Sequence, residues 1–203
     1  MRLVVDSVEY FERGMPLFKS VYIELKQKQL VQLFSYQQPA CSLLFEIICF
    51  QKSAVNSYVA IDDQKLYRKP PNMVLMPADG LLPKNISLQL AFSGYGCSWK
   101  DFKLALPDFQ ASQHQKAHTL SAGELRMCEL YLCLHLHEQL PHRWILLDQP
   151  FKHLSPVYID KASDWIENAK GKAGILFTDT QTARPELMPD ACYTLQNGRI
   201  SRG

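Results

Sequence analysis

The sequence predicts an α/β fold with a largely parallel central sheet. Two observations carry that prediction: short runs that are apolar at every position, and helical segments that alternate with them. Trp144-Ile145-Leu146-Leu147, ending in the carboxylate of Asp148, and Gly174-Ile175-Leu176-Phe177, ending in Thr178, are such runs. A strand with one face in water would alternate, so these belong in the middle of a sheet covered on both sides.

From the N-terminus, residues 3–10 and 20–25 alternate in part and read as strands, and Leu30-Val31-Gln32-Leu33-Phe34 reads as a third. Ser35-Tyr36-Gln37-Gln38-Pro39-Ala40 is a polar turn, and residues 42–50 have helical character. Strand, turn, helix is the layout of a phosphate-binding loop. Residues 55–61 predict a strand, Asp62-Asp63-Gln64 a turn, Lys69-Pro70-Pro71-Asn72 a break, and residues 73–76 a short buried strand. Residues 77–119, punctuated by Pro83, Gly94, Gly96 and Pro107, suit a small helical lobe. Ser121-Ala122-Gly123-Glu124 opens a long helix that runs to about residue 140 and stops at Pro141. Residues 157–169 predict a helix, and residues 192–200 a hairpin around Asn197-Gly198.

A chain of 203 residues fits one domain, here residues 1–203 with a helical subdomain at about 79–140 inserted in the core. The hydrophobic fraction of 47% and charged fraction of 21% are those of an ordinary globular protein. A net charge of +2 gives no reason to expect a nucleic-acid partner. Met1-Arg2-Leu3-Val4-Val5-Asp6 lacks the apolar core of a secretory signal, and the densest apolar run, residues 43–50, is broken by Glu46 and too short to span a bilayer. A cytoplasmic location is expected, with docking on a membrane protein still open and no direct insertion. The six cysteines at 41, 49, 97, 128, 133 and 192 form no Cys-x-x-Cys pair and read as reduced thiols. His135, His137 and His142 lie near Glu138, yet the first two fall on different helix faces and the third follows Pro141, so no metal site is expected from them. Trp99, Trp144 and Trp165 read as core or interface aromatics.

Four segments, in order, resemble the ABC-type ATPase family. Leu120-Ser121-Ala122-Gly123-Glu124 is similar to the family signature, Leu-Ser-Gly-Gly followed by Gln or Glu. Ile145-Leu146-Leu147-Asp148-Gln149-Pro150 resembles the Walker B strand, His153-Leu154-Ser155-Pro156 stands in the place of the D-loop, and Tyr193-Thr194-Leu195-Gln196-Asn197-Gly198-Arg199-Ile200 resembles the closing hairpin. Each alone has a plainer reading: Ser121 and Glu124 also make a capping box, Asp148 a strand end, Asn197-Gly198 a type I′ turn. Their common order is what carries the resemblance, and it covers nearly the whole chain. It implies a P-loop NTPase-like ABC ATPase domain with N-terminal antiparallel strands ahead of the mostly parallel sheet.

The family's phosphate loop, Gly-x-x-Gly-x-Gly-Lys-Ser/Thr, folds backbone amides around phosphates and neutralises them with its lysine. Aligned on residues 30–34, this chain offers Ser35-Tyr36-Gln37-Gln38-Pro39-Ala40-Cys41-Ser42. The glycines are gone, Pro39 removes an amide, and Cys41 stands in the lysine's place. Hydrogen bonds to charged groups contribute roughly 1.5–3 kcal/mol each, so the lysine's loss alone weakens nucleotide binding. Ser42 keeps the magnesium position, with Asp148 as the other metal-side residue implied by the family. Gln149 replaces the glutamate that activates water; a neutral amide orients water but does not take its proton. Ala78 replaces the Q-loop glutamine, Thr180 the switch histidine, and Ser155 the D-loop aspartate, while Tyr10 is a candidate for stacking on adenine or simply a half-buried strand aromatic.

The resemblance therefore implies an ATP-binding subunit, of a transporter, with little or no ATP binding or hydrolysis of its own. Its signature, at a helix start where free amides and the dipole favour phosphate, would complete the ATP site of an active partner subunit. ATP and magnesium are then needed only at that shared site, and a membrane permease is the further expected partner. Two alternatives stand beside this: a non-catalytic protein-binding scaffold, and an active ATPase with an atypical phosphate loop.

Overall fold

The computed structural model describes residues 1–36, 38–180 and 187–202. An antiparallel sheet is built from β1 (Arg2–Glu12), β2 (Met15–Lys26), β4 (Asn56–Ile61) and β5 (Gln64–Lys65), in the order β2-β1-β4-β5. A second sheet holds β3 (Leu30–Phe34), β6 (Met73–Met76), β7 (Arg143–Leu147), β8 (Ala173–Asp179), β9 (Ala191–Gln196) and β10 (Arg199–Arg202), in the order β10-β9-β3-β8-β7-β6. All its pairings are parallel except that of β9 with β10. The helices are α1 (Gln38–Ile48), α2 (Leu88–Gly94), α3 (Trp99–Ala105), α4 (Ala122–His135) and α5 (Pro156–Lys170).

Every residue of β3, β7 and β8 is buried. Successive side chains of β7 go to opposite layers: Trp144 and Leu146 pack with β1, β2 and α1, whereas Ile145 and Leu147 pack with α4 and α5. That two-sided burial is why the middle residues of β7 and β8 are apolar without alternation. On the α4 and α5 side, Phe92, Trp99, Phe102, Phe109, Tyr131 and Trp165 form a connected aromatic cluster with ring centroids 4.9–6.2 Å apart. Trp144 is fully buried in the opposite layer.

Two helix boundaries differ from the sequence reading. α4 ends at His135, short of Pro141. His137 adopts a left-handed φ of 55°, and the Nη2 of Arg143 donates to the carbonyls of Leu134 (2.5 Å) and Cys133 (3.4 Å), taking over acceptors that a longer helix would have used. In the other direction, α1 starts at Gln38 rather than at Ser42. Pro39 falls in its first turn, where the missing N–H breaks no helical bond.

The closing hairpin turns through Asn197 (φ 51°) and Gly198 (φ 75°), the two left-handed residues of a type I′ turn. A Cβ on Gly198 would also lie 2.7 Å from the carbonyl oxygen of Leu17. Gly198→Ala is expected to lower stability by about 1–3 kcal/mol, seen as a lower urea midpoint at unchanged slope.

Candidate functional site: a groove at the carboxyl edge of the sheet

Because β3, β6, β7 and β8 run parallel, the segments that follow them gather along one edge, the place where open α/β sheets bind ligands. A groove of about 720 Å³ opens there. Tyr10 of β1, Pro39, Ala40 and Ser42 of α1, Ala78 after β6 and Gln149 after β7 all line it. Residues far apart in the chain, singled out by family position, thus share one cavity. Its charged walls are Glu12, Glu46 and Asp79 against Lys52 and Lys152, three carboxylates to two ammonium groups.

At the junction of β3 and α1 the helix has taken up residues 38–42, while Ser35 and Tyr36 lie between strand and helix. No described residue between 35 and 42 has a positive φ. Cys41 is fully buried in the layer formed with β1 and β2, and burial pushes its thiol up to about 12, with the Asp148 carboxylate adding to the shift and a hydrogen bond with Ser35 opposing it. Ser35 is buried and Tyr36 is exposed, its ring edge-on to Phe34 at 4.9 Å. Ser42 is half-buried on the groove wall.

Asp148 is buried at the end of β7, and its Oδ1 accepts a hydrogen bond from the Thr178 hydroxyl (2.7 Å). That hydroxyl also accepts from the Gln149 amide (2.8 Å), which fixes Gln149 at a left-handed φ of 52°. Thr180 is exposed beyond β8, and its amide donates to Asp179 (2.7 Å). Among the described residues no group of three or more His, Cys, Asp or Glu side chains is placed to hold a metal ion. His135 instead stacks on Tyr131 at 4.0 Å.

The start of α4 forms the capping box foreseen from Ser121 and Glu124. Ser121 Oγ accepts from the Glu124 amide (3.3 Å), and Glu124 Oε2 accepts from both the amide (2.9 Å) and the hydroxyl (2.7 Å) of Ser121. Leu120 is half-buried and packs on the core, whereas Ser121 and Ala122 are exposed. Gly123 has a second reason to be small: a Cβ there would sit 2.8 Å from the His153 carbonyl oxygen. The loop before α5 therefore presses on the first turn of α4, and Ser155 caps α5 by accepting from the Tyr158 amide (3.4 Å).

Sequence reasoning missed the pair that joins these parts. Arg126 and Glu129 are both buried, 3.3 Å apart on α4. The Arg126 guanidinium donates to the carbonyls of Pro77 (2.9 Å), Asp148 and Gln149 (2.9 Å), while Glu129 accepts from the amides of Leu81 (2.7 Å) and Leu82 (3.2 Å). One ion pair thus ties α4 to the segments after β6 and β7. Its available signal was two opposite charges three residues apart inside an apolar helix.

No protein-family model matches the chain. The chain is 23% identical over 214 aligned positions, covering 98% of it and 90% of the relative, to the high-affinity branched-chain amino acid transport ATP-binding protein BraG of Pseudomonas aeruginosa. A shorter match, 29% over 91 residues, covers 44% of the chain and 36% of the lipopolysaccharide export system ATP-binding protein LptB of Acidithiobacillus ferridurans. Among solved structures, an ATP-binding subunit of an ABC transporter superposes over 100% of the chain and 90% of its own length, with a TM-score of 0.79 at 20% identity. A putative ABC transporter ATP-binding protein from Pyrococcus furiosus covers 96% of the chain and 98% of its own length, with a TM-score of 0.78 at 14% identity. The chain has the ABC-type ATPase fold, and its sequence is similar to those of ATP-binding proteins of transport systems.

Proposed function

We propose that this chain is an ATP-binding-type subunit of an ABC transporter that has little or no nucleotide site of its own and completes the site of an intact partner subunit. One observation carries the reading: α1 begins at Gln38, so five of the eight aligned phosphate-loop positions, 38–42, are helical, and Cys41 is buried in the core. The remaining groove fits magnesium-ATP poorly. Its charged walls sum to −1, its helix start lacks the amide that Pro39 cannot supply, and Gln149 and Thr180 offer neither a base nor an imidazole.

What the chain can give is the start of α4, with Leu120, Ser121, Ala122, Gly123 and Glu124 at a helix end favourable to phosphate. ATP and magnesium would be held by the partner. The transport role is inferred from the likeness to transport ATP-binding proteins, a membrane permease would be the other contact, and the location would be the cytoplasmic face. Among the described residues no helix is long and apolar enough to cross a membrane. We also propose that residues 79–140 act as an inserted helical subdomain within one unit.

A second reading, a protein-binding scaffold without ATP, is favoured by one contact: the Ser121 hydroxyl is already given to Glu124. Co-expression with intact ATP-binding subunits, followed by native mass spectrometry and ATPase assay, separates the two. A transporter pseudo-subunit forms a heterodimer in ATP whose turnover falls with Ser121→Ala and collapses with Ala122→Arg, a change at an exposed position. Association that ignores both ATP and Ala122→Arg would instead support the scaffold.

A further inference from the structure

A second cavity lies away from the groove, where the C-terminal parts of α4 and α5 meet the start of β7. It measures about 260 Å³, and its walls include Tyr131, His135, Glu138, Arg143, Trp165 and Lys172. Arg143 is the unusual member. It is 1% exposed, and none of the ion pairs among the described residues includes it. Its Nη2 is held by the last carbonyls of α4, and its Nε, shut off from solvent, has no hydrogen-bond partner. The nearby carboxylate, Glu138, is taken by Lys172 at 2.6 Å.

An arginine stays charged under all ordinary conditions, so this charge must be balanced by something other than its own deprotonation. The α4 carbonyls balance it in part, as the negative end of a helix dipole does. With Lys172 and Glu138 offsetting each other, the cavity keeps a net positive charge. An aromatic wall stands beside it: Tyr131 and Trp165 meet edge to face with ring centroids 5.4 Å apart. A positive end and an aromatic body select against both inorganic anions and neutral rings.

We propose that this cavity binds a small organic carboxylate, its anionic end paired with Arg143 and its apolar body against Tyr131 and Trp165. The site is independent of the nucleotide groove and does not rest on the transporter reading.

The probe is sodium benzoate, titrated into the full chain at constant ionic strength and followed by tryptophan fluorescence and by heat. Saturable millimolar binding is expected, with benzyl alcohol at least about tenfold weaker, because it keeps the ring and loses the charge. Arg143→Gln removes the cation but also uncovers the α4 carbonyls, so Ala169→Leu serves as the second variant. It fills the cavity from α5 while keeping the arginine, and binding should be lost while circular dichroism is unchanged. Failure of benzoate to saturate, equal binding of benzyl alcohol, or undiminished binding to a folded Ala169→Leu protein would each overturn the proposal.

Discussion

Replacing Arg126 by methionine should cost the fold about 3–5 kcal/mol, the range found when one partner of a buried ion pair is removed. Three consequences combine. Glu129 keeps a buried charge whose cation is gone, and the carbonyls of Pro77, Asp148 and Gln149 lose their shared donor. The segments after β6 and β7 also lose their common anchor on α4. Burial draws the Arg126 guanidinium below its ordinary range while Glu129 opposes that shift, so the pair persists only because both members are present. Glu129→Gln is the milder change, since an amide oxygen can still accept from Leu81 and Leu82. Urea unfolding of both single variants and the double variant should give a coupling of about 1–3 kcal/mol. A cycle that sums without coupling would mean that Arg126 acts through packing alone.

The second large effect concerns Cys41. If loss of the lysine were the main defect, Cys41→Lys would restore nucleotide binding. We expect the opposite: no measurable ATP binding, and a loss of about 3 kcal/mol or more from placing an ammonium group where nothing is exposed. Asp148 is near enough to raise the Cys41 thiol, but its Oδ1 is already engaged by Thr178. The measurement is a thermal and urea comparison with magnesium-ATP present and absent. A stable variant that gains ATP-dependent protection would show that the α1 start can still cradle phosphate.

Much of the fold could be read from the sequence because its central strands obey a simple rule. β7 and β8 are covered on both faces, so residues 144–147 and 173–177 are apolar without alternation, and the Asn197-Gly198 pair fixes the hairpin. Helix ends were harder. The stop of α4 depends on a left-handed His137 and on an arginine from the next strand, neither of which leaves a local mark. The early start of α1 depends on Pro39 being tolerated in a first turn, where the sequence pattern reads as a polar loop.

The site was legible only through the order of family segments. No periodicity says that Tyr10, Ser42, Ala78 and Gln149 share a cavity; the parallel topology brings them there. The Arg126–Glu129 pair was overlooked for the reverse reason. Charged residues at helical spacing usually face water, and only the packing of α4 against β6 and the end of β7 shows that these two do not.

The central claim is that the connection between β3 and α1 no longer binds nucleotide. Isothermal calorimetry of magnesium-ATP against the purified chain tests it most directly. The account predicts no saturable heat and no thermal stabilisation at millimolar ATP. Binding in the micromolar range, lost on Ser42→Ala, would contradict it and make this chain an ATP-binding subunit with an unconventional phosphate site.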